Sequence, residues 1–199
     1  MYDVIARWFK LGGASLSAAP NSYPLLLLAF IACLVLTPGA GAVTPPPDGG
    51  YSGNNTAEGT QALLSLTTGI DNTALGFQSL FSDTTGSKNT ATGFRSLFRN
   101  TTGSNNAAFG FDALFSNTTG GFNVAQGAIA LFANTTGVSN VATGYQALSH
   151  NTTGNYNTAD GTNALFNNTT GNTNVSIGAN TLIQNTTGSR NVAVGINSL

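Results

Sequence analysis

Apolar and polar residues recur along this chain with a period that neither a helix nor a single strand produces. Leu returns at 63, 80, 97, 114, 131, 148, 165, 182 and 199, seventeen residues apart each time. Gly keeps the same step at 59, 76, 93, 110, 127, 144, 161, 178 and 195, and Asn keeps it from 55 to 191. The unit reads Asn-(Thr/Val)-Ala-x-Gly-x-x-(Ala/Ser)-Leu-Phe-x-Asn-Thr-Thr-Gly-x-x, in eight full copies over 55–190 and a half copy over 191–199. Positions are numbered 1 to 17 from that first Asn.

Repeats of this length limit the architecture. A helical pair needs roughly 30 or more residues per repeat. A lone helix would be broken by two glycines and an Asn-Thr-Thr-Gly in every copy. The segments (Thr/Val)-Ala-x-Gly and (Ala/Ser)-Leu-Phe suit short strands, and Asn and Gly at fixed offsets suit turns of positive φ. One repeat then makes one coil of an all-β, parallel β-solenoid, with each strand about 4.8 Å from its copy along the axis. Eight and a half coils predict a rod of about 40 Å.

Equivalent positions stack in such a fold, so each column must tolerate a neighbour like itself. Position 3 is Ala in every copy except Ser176, and position 8 is Ala, Ser or Thr. Both are expected inside a thin coil, with the Leu column as the main core row. Asn72, Asn89, Asn106, Asn123, Asn140, Asn157, Asn174 and Asn191 are expected to stack as an amide ladder. Position 4 varies freely and is expected to face outward. Two aromatic columns remain, at positions 6 and 10, and a coil this small cannot enclose both. The column after Gly is expected to form an outer stripe for self-association, using Phe77, Phe94, Phe111, Tyr145 and Ile196, together with Leu199 at the last half coil.

The first 54 residues read differently. Pro24 to Leu36 is an uncharged apolar run preceded by Arg7 and Lys10 and followed by Ala40-Gly41-Ala42. It is shorter than the about 20 residues a membrane span needs, so residues 1–42 read as a secretory signal peptide, leaving no membrane span in the mature chain. Residues 43–54, with Pro45-Pro46-Pro47 and Gly49-Gly50, read as an extended lead-in, and 55–199 as the solenoid. The repeat stops at Leu199 without a capping element, and the expectation is twofold: either the chain is a piece of something longer, or its open strand edge is used to template pairing with another chain.

Charge and chemistry narrow the function. Only 7% of residues are charged and the net charge is −1, which excludes a basic surface for nucleic acid. One Cys and one His exclude a disulfide framework, a cysteine zinc site and a histidine metal cluster. His150 occupies a variable turn position. No acid recurs in a column and no phosphate or nucleophile motif is present, so no catalytic, cofactor or metal residue is expected and no enzyme. Asn100, Asn117, Asn134, Asn151, Asn168 and Asn185 each begin Asn-Thr-Thr. In a secreted chain these are candidate glycan acceptors. The same residues also read as a turn whose side chains bond locally to backbone. The paired Thr columns raise ice binding, although they precede a Gly in a turn.

The unit seen in Asn72-Thr73-Ala74-Leu75-Gly76 and Asn191-Val192-Ala193-Val194-Gly195 resembles the head repeat of trimeric autotransporter adhesins of the YadA type. The fuller unit, Asn140 to Leu148 with Asn151-Thr152-Thr153-Gly154, is similar to repeats in secreted bacterial proteins and phage tail-fibre-like proteins. The resemblance covers 55–199 and implies a left-handed parallel β-roll with three chains side by side, although the period here is longer. The expectation is a non-enzymatic, secreted structural protein that self-associates, as a lateral trimer or an end-to-end filament, into an extracellular fibre or adhesive appendage. The alternatives are a glycan- or host-surface-binding module and an ice-binding protein. The expected partners are further copies of the chain and cell-surface or matrix glycans.

Overall fold

A computed structural model of the protein describes residues 52–199. The signal-peptide reading and most of the lead-in lie outside the described residues. The chain separates into two units at Gly41–Ala42, and the described residues all belong to the second.

Among the described residues, nine three-residue strands follow one another at the repeat spacing: β1 Thr56–Glu58, β2 Thr73–Leu75, β3 Thr90–Thr92, β4 Ala107–Phe109, β5 Val124–Gln126, β6 Val141–Thr143, β7 Thr158–Asp160, β8 Val175–Ile177 and β9 Val192–Val194. They form one parallel sheet in sequence order, each residue paired with its equivalent one copy on, as Ala57 with Ala74 and Ala74 with Ala91. The protein is therefore an all-β parallel solenoid of seventeen-residue coils. Coil 1 begins at Asn55 and coil 9 is the half copy.

Only one of the two expected strands per coil forms. The (Ala/Ser)-Leu-Phe segment is turn, because its Leu lies in the left-handed region, with φ between 47° and 52° in all eight full copies. Positive φ also falls on positions 5, 7 and 17, the first of these being Gly with φ of 115–144°. The Asn columns are not among them, so the expected positive φ at Asn is corrected. Positive φ at alternate residues 5, 7 and 9 bends the chain sharply, yet its peptide N–H groups still bond along the axis. Gln78 N–H bonds back to Thr60 O at 3.0 Å, and Leu80 N–H bonds forward to Ser96 O at 3.0 Å. Left-handed geometry costs an ordinary side chain about 1–2 kcal/mol. Full burial of Leu contributes about 1.5–3 kcal/mol, enough to offset it.

The interior is narrow. Every buried apolar side chain among the described residues is Ala or Leu: Ala at positions 3 and 8, Leu at position 9. In coil 8 the Ala pair becomes Ser176 and Thr181, whose hydroxyls bond at 2.7 Å. Elsewhere a position 8 hydroxyl reaches the position 5 carbonyl of its own coil, as Ser79 does to Gly76 O at 3.1 Å. Position 4 faces outward, with Leu75, Phe109 and Ile177 exposed. The end of the lead-in, Ser52 to Asn54, is a turn rather than extended, and Gly53 O accepts the Asp71 N–H at 2.8 Å.

Candidate interaction surface and buried amide ladders

Position 1 builds the first ladder. Each Asn Oδ1 accepts the backbone N–H of the next Asn in the column, at 3.0 Å for Asn106 to Asn123 and for Asn123 to Asn140. Each Nδ2 crosses the coil to the Gly at position 15, Asn89 to Gly103 O at 2.9 Å. The side chains from Asn72 to Asn174 are buried, and Asn191 in the half coil is half-buried.

A second ladder lies at position 12, where the sequence was read as a glycan acceptor or as a turn whose side chains bond locally to backbone. Asn117 Nδ2 donates to Asn100 Oδ1 at 2.8 Å and to Gly120 O at 2.9 Å. The pattern repeats at Asn134, Asn151, Asn168 and Asn185. Both ladders meet on one atom: Gly103 O accepts from Asn89 and from Asn100, each at 2.9 Å. Asn100, Asn117, Asn134, Asn151 and Asn168 have no exposed surface, and Asn185 is half-buried. An N-linked sugar on these nitrogens is incompatible with this packing, because each Nδ2 spends its hydrogens inside the coil. The column carried a readable signal of burial: it admits only Leu66, Asp83 and Asn, with none of the Ser, Lys or Gly found in outer columns.

The paired threonines separate. The first donates its hydroxyl to the equivalent carbonyl one coil on, Thr101 to Thr118 O at 3.0 Å, and its row is mostly half-buried. The second is exposed in every full copy.

Neither aromatic column enters the core. Phe77, Phe94 and Phe111 stack with centroids 5.2 and 5.3 Å apart and planes 15° and 5° from parallel. Phe81, Phe98, Phe115 and Phe132 stack at 5.1 Å. The first row is 41–49% exposed and the second half-buried. Arg95 joins them, lying 4.9 Å from the Phe94 centroid and 5.0 Å from that of Phe115. Its guanidinium forks onto Asp112 at 2.9 and 2.7 Å. Both rows therefore share one face of coils 2–5, with that ion pair between them. Within each stack the inner ring faces are covered by neighbouring rings, so edges are what the surface offers.

Of the other residues assigned to self-association, Tyr145 continues the position 6 column two coils beyond Phe111, and Ile196 and Leu199 lie 75% and 85% exposed in the half coil. His150 packs edge-on against Phe166, centroids 4.4 Å apart. Among the described residues no group of three or more His, Cys, Asp or Glu gathers to hold a metal ion, and no helix is long and apolar enough to cross a membrane. Comparison with family models, curated proteins and solved structures gives no match to this chain.

Proposed function

We propose that this chain is a non-enzymatic, secreted structural protein, a stiff rod that associates side by side with further copies through the aromatic face of coils 2–5. Such association would build an extracellular fibre or adhesive appendage. The observation that carries the reading is the pair of stacked phenyl rows exposed on a rod with very few charges. Contiguous apolar surface of this kind marks a contact site, and near-neutral net charge leaves association unopposed. Ring edges presented in a flat row suit another apolar surface better than a stacked sugar, which favours protein over glycan as the partner.

The test separates contact from core. Phe94→Ser with Phe111→Ser is expected to lower the mass seen by light scattering while costing about 2–4 kcal/mol of folding stability from the two lost stacks and half-buried ring area, less than a core lesion. Leu114→Asp, which puts a carboxylate at a fully buried position, is expected to abolish the fold. Equal loss of association and folding in both variants would defeat the division of roles. Unchanged mass in the double Phe variant, with glycan binding on an array, would move the assignment to the glycan-binding alternative.

A further inference from the structure

The second ladder ends in an anomaly. From coil 3 onward, each position 12 Asn gives one Nδ2 hydrogen to the side-chain oxygen of the coil before it and one to the position 15 carbonyl of its own coil. In coil 2 the residue is Asp83, and in coil 1 it is Leu66. Asp83 Oδ1 fills the role of the amide oxygen, accepting Asn100 Nδ2 at 2.9 Å and Gly86 N–H at 3.2 Å. The equivalence of the columns then puts Oδ2 where coils 3 to 8 have a donor. It is buried with no hydrogen-bond partner. The carbonyl in its path, Gly86 O, already accepts Asn72 Nδ2 at 2.8 Å and has only a repulsive contact to offer a second oxygen. Leu66, packed against the core one coil earlier, can neither donate nor accept.

A proton on Oδ2 changes this. The neutral acid has the shape of an amide and the missing donor, aimed at the carbonyl that amides reach in the other coils. We propose that Asp83 is a proton-operated latch beneath coil 1: protonated, its hydroxyl bonds Gly86 O within coil 2 and coil 1 stays closed over a neutral group; ionised, it leaves a bare buried oxygen that water reaches only when coil 1 lifts.

No charged side chain faces the carboxyl. Leu66 from coil 1, Asn72 from the facing ladder and Asn100 from coil 3 are all uncharged. Glu58, Asp71, Lys88, Arg95 and Arg99 sit at outer, exposed or half-exposed positions. Desolvation dominates and pushes the Asp83 carboxyl up from 3.8 to about 6, against the lowering effect of Asn100 and the Gly86 and Thr84 amides. The closed state therefore holds its proton where the open state has lost it. Closure is tightest below the open-state value near 4, weakens as pH rises to about 6, and is level above that. A shift of this size makes opening about fiftyfold more frequent at pH 7.5 than at pH 4. Coils of a solenoid contact only their neighbours, so the effect stays local.

Hydrogen exchange on the full-length chain, corrected for intrinsic rates, tests this. Amides of Thr67 and Thr68, which bond to Thr84 O across the coil 1–2 junction, are expected to lose about fiftyfold in protection relative to Thr84 and Thr85, which bond to Thr101 O in coil 3, between pH 4 and 7.5. Asp83→Asn is expected to hold Thr67 and Thr68 at the acid level throughout. A flat ratio in the wild type, or the same pH dependence in Asp83→Asn, overturns the latch. If that variant does not fold, the 13C shift of the wild-type Asp83 carboxyl decides: a midpoint near 6 supports the latch, and one at or below about 4 overturns it.

Discussion

Replacing Asn117 with Ala removes three buried hydrogen bonds at one stroke. Its Nδ2 bonds Asn100 Oδ1 at 2.8 Å and Gly120 O at 2.9 Å, and its Oδ1 accepts Asn134 Nδ2 at 2.9 Å. Gly120 O keeps a partner in Asn106, and Asn134 keeps Gly137 O. Asn100 Oδ1 is left buried with no donor. Two bonds whose partners have other bonds cost about 1 kcal/mol each, and the orphaned acceptor adds about 1–3 kcal/mol. The sum is about 4 kcal/mol, a large share of the about 5–15 kcal/mol that holds a domain together. Thr119→Ala destroys the same Asn-Thr-Thr sequence at an exposed side chain and is expected to cost less than about 0.5 kcal/mol. Urea unfolding followed by circular dichroism, with matched slopes, measures both. A cost below about 1 kcal/mol for Asn117→Ala, or equal costs for the two variants, would refute the ladder as a stabilising element.

Two further substitutions probe the coil path and the interior. Gly127 has φ of +144°, and a Cβ there would lie 2.5 Å from Gly144 O, so Gly127→Ala is expected to cost at least about 3 kcal/mol in thermal or urea unfolding; a cost under 1 kcal/mol would show that the neighbouring coil gives way. Ser176→Ala and Thr181→Ala are each expected to destabilise by about 1 kcal/mol, while the double variant, which recreates the Ala pair of coils 4–7, returns to near wild type; strictly additive losses in that cycle would show that the two hydroxyls do not act as a pair.

The seventeen-residue step of Asn, Gly and Leu, together with the steadily small column at position 3, was enough to read a parallel solenoid. In-register stacking requires residue i to lie over residue i+17, and only columns that tolerate their own kind permit it. The chemistry of the columns also pointed to Leu and Ala inside and to an amide ladder from Asn72 to Asn191. What a column cannot state is which way it faces. Position 12 and the second Thr after it look alike as turn formers, yet Asn117 points inward and Thr119 outward. Both Phe rows are excluded from an interior filled by Ala, Leu, small hydroxyl side chains and the ladder residues. The second strand expected around Leu114 is a turn because that Leu adopts φ of 51°. Those facings are set by the sign of φ along the coil, which depends on hydrogen bonds to the coils above and below. Asp83 belongs to the same class: one carboxylate in a chain of amides is an ordinary substitution on paper, and becomes a proton site only when packing strands its second oxygen beneath Leu66.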